Sequence, residues 1–227
     1  MTDRRGGPLV MVAANADVLG HPETDRFTLT DVESERAARF RHEEDRRNFV
    51  AAHLLVRLCA ERLLGRPGPM TLAQYCPDCG LPGHGKPYLP EHPDIHISLS
   101  HTRGAVAAAA GYGPVGVDVE LPQRGGTDPG VLQRVLTEAE RRQVERHPDP
   151  AYAFLRQWVR KEALIKIGRV TLDTMGGTDL SALPLGEAHG APLRSRLDDL
   201  HFLDWADERL GATVVVVGTA PPQLVAH

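Results

Sequence analysis

The sequence has few cysteines, few lysines and no long hydrophobic run. Its three cysteines are an odd number in a chain of 227 residues, so they do not form the paired framework of a disulfide scaffold. The apolar stretch from Pro8 to Ala14 is too short to cross a membrane and is more typical of a first strand than of a signal peptide. The formal net charge of −4 argues against a nucleic-acid binder, which normally carries a basic excess. We therefore expect a cytoplasmic, globular protein that binds neither membranes nor nucleic acids.

Lysine is the scarcest of the common charged residues. Of 26 basic residues only three are lysine, namely Lys86, Lys161 and Lys166. The ordinary charged surface is therefore built from arginine, and each lysine lies in a segment that other patterns also single out. This distribution favours positions at which a compact ammonium group is needed.

Strand and helix signals alternate in the first half of the chain. Thr30 and Glu33 have the spacing of a capping box, which predicts a helix that runs toward Arg41. Apolar residues recur at helical spacing from Glu43 to Leu64, which predicts a second, longer helix. Alternating apolar and polar residues predict a strand at 95–100, and short apolar runs predict strands at 9–14 and 105–110, the last of which could complete a hairpin with 95–100.

The clearest internal break is formed by Gly111, Gly113 and Pro114. It predicts two lobes, residues 1–112 and residues 113–227. The second lobe is predicted to contain strands at 115–121, 201–205 and 213–217, a loose glycine-rich loop after the first of them, and helices that begin at Thr137 and after Asp149. Long helices combined with antiparallel hairpins indicate an α+β fold.

Two carboxylates lie side by side on the predicted strand 115–121. The apolar side chains of this strand face one way, so Asp118 and Glu120 share the other face. Their oxygens suit Mg²⁺, which usually takes one or two protein carboxylates and leaves positions for substrate phosphate. A half-exposed strand with outward polar residues explains the same alternation, and both interpretations stay open.

A third carboxylate, Glu162, interrupts the apolar stripe of the helix that follows Asp149. The stripe consists of Ala151, Phe154, Leu155, Trp158 and Ile165. A carboxylate on a stripe that faces the core is costly unless a cation or hydrogen bonds compensate it, which favours a functional charge. An ordinary helical ion pair between Glu162 and Lys166 is the alternative.

Two short segments are weaker candidates for phosphate binding. The turn at residues 84–87 offers backbone amides next to Lys86, a combination that can hold phosphate. Ser100 and His101 close the predicted strand 95–100, where side chains can reach a ligand.

Cys76, Cys79 and His84 have the spacing of half a zinc site. The other half is missing, because Cys59 lies on the apolar stripe of a helix and the sequence has no second cysteine pair. A structural zinc ion takes four ligands, so we expect a tight cysteine-rich turn here rather than a zinc site.

Taken in order, four segments resemble the surfactin-type 4′-phosphopantetheinyl transferases. They are Gly85-Lys86-Pro87, the segment 97–101 (Ile-Ser-Leu-Ser-His), the segment 116–120 (Gly-Val-Asp-Val-Glu) and the segment 158–166 from Trp158 to Lys166. The last two meet the family patterns G-[IV]-D-[IVL]-E and W-x-x-K-E-[AS]-x-x-K. Ser98 is a departure, since many relatives have Asn at this position.

The resemblance implies a pseudo-twofold fold with two similar lobes, each a small antiparallel sheet packed with helices, in a monomer that binds coenzyme A between the lobes. Mg²⁺ would be held by Asp118, Glu120 and Glu162 together with the pyrophosphate of coenzyme A. Catalysis would rest on Glu162, Lys166 and Asp118. The residues implied to bind coenzyme A are Arg36, Lys86, Ser100, His101, Lys161 and Lys166.

The implied reaction transfers 4′-phosphopantetheine to a serine of an acyl carrier protein or peptidyl carrier protein. The carriers would belong to fatty-acid, polyketide or peptide synthases, and Arg124 or Arg134 are candidate contacts for their acidic helix. Two alternatives remain, another Mg²⁺-dependent phosphotransferase or phosphodiesterase, and a non-catalytic module that binds nucleotides or is stabilised by zinc.

Overall fold

The computed structural model describes residues 6–76, 79–122, 128–188 and 190–225. The helices are α1 (Asn15–Leu19), α2 (Asp31–Ala38), α3 (Glu43–Leu64), α4 (Pro129–Val135), α5 (Glu138–Glu145) and α6 (Pro150–Ile167). The strands are β1 (Leu9–Ala14), β2 (Ala73–Tyr75), β3 (Lys86–Tyr88), β4 (His96–Thr102), β5 (Ala105–Gly111), β6 (Val115–Glu120), β7 (Leu193–Leu197), β8 (Leu200–Asp207), β9 (Ala212–Gly218) and β10 (Gln223–Leu224).

Two sheets form the centre of the molecule. The first has the order β10-β1-β5-β4-β3-β2 and is antiparallel except for the parallel pair of β1 and β10. The second has the order β6-β9-β8-β7 and is antiparallel throughout. The predicted hairpin of β4 and β5 and the predicted pair of β8 and β9 are both confirmed.

The sheets pack against each other and each carries one long helix on its outer face. Buried apolar side chains of β1 and β5 meet those of β6, β8 and β9 in a shared cluster that includes Val10, Val117 and Trp205. Helix α3 covers the first sheet, and helix α6 covers the second. The result is an α+β fold of four layers, which confirms the predicted fold class.

Local capping signals fix the helix boundaries. Both predicted capping boxes are formed, with Thr30 and Glu33 at the start of α2 and with Thr137 and Glu140 at the start of α5. Asp149 accepts a hydrogen bond from the backbone amide of Tyr152, three residues along, at 3.0 Å, and so opens α6. Helices α3 and α6 end where a glycine adopts the left-handed conformation.

The prediction of a loose loop after β6 is wrong for residues 129–135, which form α4. The Asp128 side chain accepts hydrogen bonds from the amides of Gly130 and Val131, and proline occupies the first turn of the helix. This is the signal that correctly predicted α6 at Asp149 and Pro150. Strands β2, β3, β7 and β10 were also not expected from the sequence.

The two-lobe division at residues 112 and 113 stays a prediction. Strands β1 to β5 precede this point and β6 to β9 follow it, but the short β10 returns to the first sheet. Among the described residues, no helix is both long and apolar enough to span a membrane.

Candidate active site

Asp118 lies at the centre of a buried polar contact between the two sheets. Its side chain is 5% exposed, and its Oδ1 accepts hydrogen bonds from Ser100 Oγ at 2.7 Å and from Lys166 Nζ at 2.8 Å. Lys166 also donates to the Leu99 carbonyl at 3.3 Å. The other carboxylate oxygen, Asp118 Oδ2, is buried without a hydrogen-bond partner in the described part of the chain. One oxygen of this carboxylate is therefore left to receive a further donor or a cation.

Ser98, two residues before Ser100, connects the same two strands. It is 3% exposed, and its Oγ accepts a hydrogen bond from the backbone amide of Val117 at 3.0 Å. In a strand, residues two apart point to the same side, so Ser98 and Ser100 both face β6 from β4. Ser98 thus stabilises the backbone beside Asp118, a role that the resemblance to relatives with Asn had left open.

Glu120 and Glu162 lie close enough to Asp118 for their charges to interact. Burial, and then the charge of Asp118, raises the pKa of Glu162 above its ordinary value. The same two causes in the same order raise the pKa of Glu120, and the charge of Glu162 raises it further. Lys166 acts in the opposite direction on both carboxyls. The three carboxylates repel one another in this structure, and a bound divalent cation would remove that repulsion.

The apolar stripe of α6 faces the core as predicted, except at Ala151, because Phe154 and Leu155 belong to the core cluster and Trp158 and Ile165 pack against it. Phe154 and Leu155 are buried, but Trp158 and Ile165 are only half-buried and Ala151 is exposed. The buried side of α6 also carries Arg156 and Arg160, at most 1% exposed. Each donates a hydrogen bond of 2.6 Å to the buried carboxylate of Asp204 on β8. Because both guanidinium groups are paired, they can lie on the buried side of the helix.

Lys161 does not contact the site, and its predicted role in binding coenzyme A is wrong. Its ammonium is 0% exposed and donates to Glu140 Oε2 at 2.8 Å. It also donates to the backbone carbonyls of Val135, Met175 and Thr178 at 2.7–2.9 Å. With four acceptors around three protons, the ammonium has no capacity left for a phosphate. Lys161 holds α4, α5 and the segment 175–178 against α6.

Arg36 and Lys166 approach His101 from different helices. Burial, and then the charges of Lys166, His53 and Arg36, lowers the pKa of His101, whereas Asp45 acts in the opposite direction. The exposed Arg36 side chain donates to Gln74 Oε1 at 3.1 Å. Positive charges from α2 and α6 therefore converge on the end of β4, which suits a phosphate group.

Lys86 is exposed on β3, next to Gly85. Burial, and then the charge of Lys86, lowers the pKa of His96 on β4. Gln74 on β2 donates to the Gly85 carbonyl at 3.3 Å and accepts from Arg36, so it connects the Lys86 hairpin with α2. The structure thus brings Arg36 near His101, and links Lys86 to them through Gln74.

A cavity of about 860 Å³ adjoins Glu120 and was not predicted. Its walls come from the N-terminal half of α6, from residues 206–208 and from residues 211–213. The apolar stripe of α6 supplies Phe154, Leu155 and Trp158 to this wall. The volume lies within the usual range for ligand pockets, roughly 300–1,000 Å³. A half-buried apolar stripe that borders a carboxylate was the sequence signal for it.

The family comparison covers the part of the chain that carries the carboxylates. A family model described as the 4′-phosphopantetheinyl transferase superfamily matches residues 114–217. The matched segment is similar to this superfamily and makes up just under half of the chain. It contains Asp118, Glu120, Glu162 and Lys166, and the resemblance seen in the sequence motifs is confirmed.

Curated proteins of Bacillus are similar to more than half of the chain. The chain is 30% identical over 135 residues to a Bacillus subtilis protein named 4′-phosphopantetheinyl transferase, which is 58% of this chain and 56% of that protein. It is 28% identical over 154 residues to 4′-phosphopantetheinyl transferase ffp of Bacillus subtilis, covering 65% and 64%. It is 26% identical over 158 residues to 4′-phosphopantetheinyl transferase Sfp of Bacillus subtilis strain 168, also covering 65% and 64%. The chain therefore spans between about half and two thirds of the length of these transferases.

Arg134 and Arg124 are the two arginines predicted to contact the carrier protein. Arg134 is exposed on α4, where its Nε donates to the Gly130 carbonyl at 3.2 Å. Arg124 lies outside the described residues. Carrier contact by either residue stays a prediction.

Proposed function

We propose that this chain transfers the 4′-phosphopantetheine group from coenzyme A to a serine of an apo carrier protein and releases adenosine 3′,5′-bisphosphate. The observation that carries the proposal is the buried Asp118 carboxylate, paired with Lys166 and flanked by two carboxyls with raised pKa. Similarity of the matched segment to the transferase superfamily supports the same reaction. The carriers would be acyl carrier proteins or peptidyl carrier proteins of fatty-acid, polyketide or peptide synthases.

The three carboxylates fit a magnesium ion. All the available donors are oxygens, one Asp118 oxygen lacks a partner among the described residues, and burial and then the charge of Asp118 raise the pKa values of Glu120 and Glu162. Asp118, Glu120 and Glu162 would hold Mg²⁺. When bound, the ion would neutralise negative charge on the pyrophosphate of coenzyme A.

Besides its hydrogen bond to Asp118, Lys166 can stabilise the negative charge of the pyrophosphate. Its side chain is 27% exposed although its ammonium contacts a nearly buried carboxylate. An ammonium fixed in this way stabilises the charge that develops on the leaving phosphate without having to reorganise during the reaction. We assign Lys166 this role, and Asp118 the role of orienting it.

Glu162 is the group we assign as general base. Its raised pKa makes its carboxylate a stronger proton acceptor than an ordinary glutamate. The proton comes from the serine hydroxyl of the carrier as its oxygen attacks the β-phosphorus of coenzyme A. The bond from that phosphorus to the bridging oxygen breaks, and adenosine 3′,5′-bisphosphate leaves with the electron pair.

Arg36, Lys86, Ser100 and His101 are proposed to bind the adenosine phosphates. The convergence of Arg36 and Lys166 on His101 supports an anion at the end of β4. The Ser100 proton is donated to Asp118, so Ser100 can offer a phosphate only its backbone amide or a rearranged hydroxyl. Uncharged parts of the substrates can pack in the apolar cavity beside Glu120 while the phosphates lie at the carboxylates.

The test is the intact mass of an apo carrier protein after incubation with this chain, coenzyme A and Mg²⁺. A gain of about 340 Da, the mass of one phosphopantetheine, that is lost with EDTA is the expected result. Glu162→Gln should abolish the gain, whereas Glu145→Gln, on the exposed side of α5, should leave it unchanged.

Two other outcomes would replace the proposal. Cleavage of coenzyme A without modification of any carrier would identify a phosphodiesterase. If the protein is folded but neither cleaves coenzyme A nor modifies any of several carrier types, a binding module would be favoured. Retained activity in Glu162→Gln would remove the assignment of the base but not that of the reaction.

A further inference from the structure

The loop between β2 and β3 brings three metal-binding side chains together. The ligand atoms of Cys76, Cys79 and His84 all lie within 4.8 Å of one another. Cys79 Sγ and His84 Nε2 are 3.1 Å apart. Around a tetrahedral zinc ion with ordinary Zn–S and Zn–N bonds, a sulfur and a nitrogen lie about 3.6 Å apart. A shift of about half an ångström, available to exposed side chains through rotamer changes, would complete this geometry.

Backbone hydrogen bonds help to hold these ligands in position. The amide of Gly80 donates to the Cys76 carbonyl at 2.9 Å, and the amide of Cys76 donates to the Leu81 carbonyl at 3.1 Å. Gly80 and Gly85 both have positive φ values, 70° and 88°. At Gly85 a Cβ atom would lie 2.4 Å from the Tyr75 carbonyl oxygen, so only glycine allows this close turn.

The hairpin that carries the three ligands has little apolar anchoring of its own. Strands β2 and β3 have three residues each, and β3 joins the sheet at a single registered pair, Tyr88 with His96. Tyr75, Leu81 and Tyr88 are 50%, 58% and 45% exposed. A segment this short buries too little surface to offset the entropy of ordering it, which is the situation in which proteins use a metal ion.

We propose that Cys76, Cys79 and His84 bind a zinc ion, with water as the fourth ligand, and that this ion orders the β2–β3 hairpin. The side chains of Cys76 and Cys79 are half-buried and exposed, so solvent can occupy the open position. No disulfide joins these two cysteines in the structure. The expectation of a tight cysteine-rich turn was correct, but the inference that such a turn excludes zinc does not follow, because three ligands and water also complete a tetrahedron.

The zinc site is placed to act on coenzyme A binding, an inference that rests on the proposed function. The hairpin carries Lys86 two residues after the ligand His84, and Gln74 connects it with Arg36. Loss of zinc would loosen these groups without reaching Asp118 or Glu162. We expect the KM for coenzyme A to rise about threefold to tenfold in zinc-free protein while kcat changes less than twofold, since binding in the ground state and in the transition state is weakened alike.

The test measures zinc directly in protein without an affinity tag. After exposure to Zn²⁺ and gel filtration, elemental analysis should find about one zinc per chain in the natural sequence. Cys79→Ser and His84→Ala should lose it. Cys59→Ala, which removes the buried cysteine, and His42→Ala, at an exposed position, should keep it.

A second readout uses Co²⁺ in place of zinc. Thiolate ligands give a charge-transfer absorption in the near ultraviolet that the natural sequence should show and Cys79→Ser should lack. The absorption of the natural sequence reports thiolate ligation by itself, so this part of the test does not depend on whether a variant folds.

Zinc absent from the natural sequence, or zinc retained in both ligand variants, would overturn the proposal. A Cys76–Cys79 disulfide that persists in protein purified under reducing conditions would also overturn the proposal. These outcomes are independent of carrier modification, so a failed transfer assay with zinc present would reject the proposed function and leave the metal site in place.

Discussion

Lys166 donates a hydrogen bond to one oxygen of Asp118 at 2.8 Å, while the second oxygen of Asp118 is buried without a partner among the described residues. The ammonium comes from α6 and the carboxylate from β6, so this contact connects the helix that carries Glu162 with the strand that carries Glu120. The pair of Lys166 and Asp118 therefore belongs to the proposed site and also contributes to the packing of α6 against β6. Its removal should change activity and stability together.

Lys166→Ala should lower turnover by about 10²- to 10³-fold, since one preorganised donor to the pyrophosphate is lost. It should also destabilise the fold by about 1–3 kcal/mol, because the nearly buried Asp118 carboxylate loses its partner. Carrier mass analysis and urea unfolding measure the two effects. Arg169→Ala, which removes an exposed pair with Asp199, is the control and should change neither. Turnover within tenfold of the natural sequence would exclude Lys166 from the proposed machinery.

Glu162→Gln should raise the thermal midpoint of the metal-free protein at neutral pH by about 2 °C. Burial and Asp118 raise the pKa of Glu162, so between the ordinary value of 4.5 and the raised value the folded state binds more protons than the unfolded chain. Stability is therefore lost as the pH rises through this window. The amide removes that cost, so the two proteins should become equally stable below pH 4.5.

The same thermal midpoints can be measured in the presence of Mg²⁺. The ion should raise the midpoint of the natural sequence, more strongly at high pH than at low pH, because it binds the ionised carboxylates. The increase should be smaller in the glutamine variant, and Glu145→Gln should behave like the natural sequence. A glutamine variant that is less stable than the natural sequence at every pH would mean that Glu162 is held in a stabilising pair with Lys166.

Local signals were enough to predict most of the helices and strands. The capping residues Thr30, Thr137 and Asp149 start helices where expected, because the hydrogen bond that starts each helix spans only two or three residues. The shared face of Asp118 and Glu120 follows from strand geometry alone. These features need no knowledge of the rest of the fold.

The environment of α6 could not be predicted in the same way. Its core side is decided by Asp204, which lies more than 40 residues further along the chain and pairs with both Arg156 and Arg160. Three of the four acceptors of Lys161 are backbone carbonyls, which every residue has, so the sequence does not indicate them. Hence the sequence placed Lys161 in the site and did not predict the two buried arginines, whereas the fold buries all three cations away from the carboxylates.

Lys161→Ala should destabilise the protein by about 3–5 kcal/mol, because it leaves the buried Glu140 carboxylate without its cation. Unfolding in urea measures the change. The KM for coenzyme A, measured at a temperature where the variant is still folded, should stay within twofold of that of the natural sequence. Lys86→Ala gives the opposite pattern, with ordinary stability and a raised KM. An increase in KM for Lys161→Ala as large as that for Lys86→Ala would restore its predicted role in binding coenzyme A.

Gly116→Ala should disrupt the site through the distance between β6 and α6. A Cβ atom at this position would lie 2.2 Å from the Ala163 carbonyl oxygen and 2.9 Å from the Ile167 amide nitrogen, so the helix would have to move away from the strand. Ala163 follows Glu162 directly, and the displaced helix would carry Glu162 and Lys166 away from Asp118.

We expect Gly116→Ala to cost about 2–3 kcal/mol in the free energy of unfolding and to lower turnover at least tenfold. Gly68→Ala is the matched control, because a Cβ atom there meets nothing within 4 Å. Urea unfolding and carrier modification report the two quantities. If Gly116→Ala lost stability but kept full turnover, the close approach of α6 to β6 would serve only packing. Such a result would argue against the proposed magnesium site, because carboxylates that share one divalent ion do not tolerate a change in their spacing.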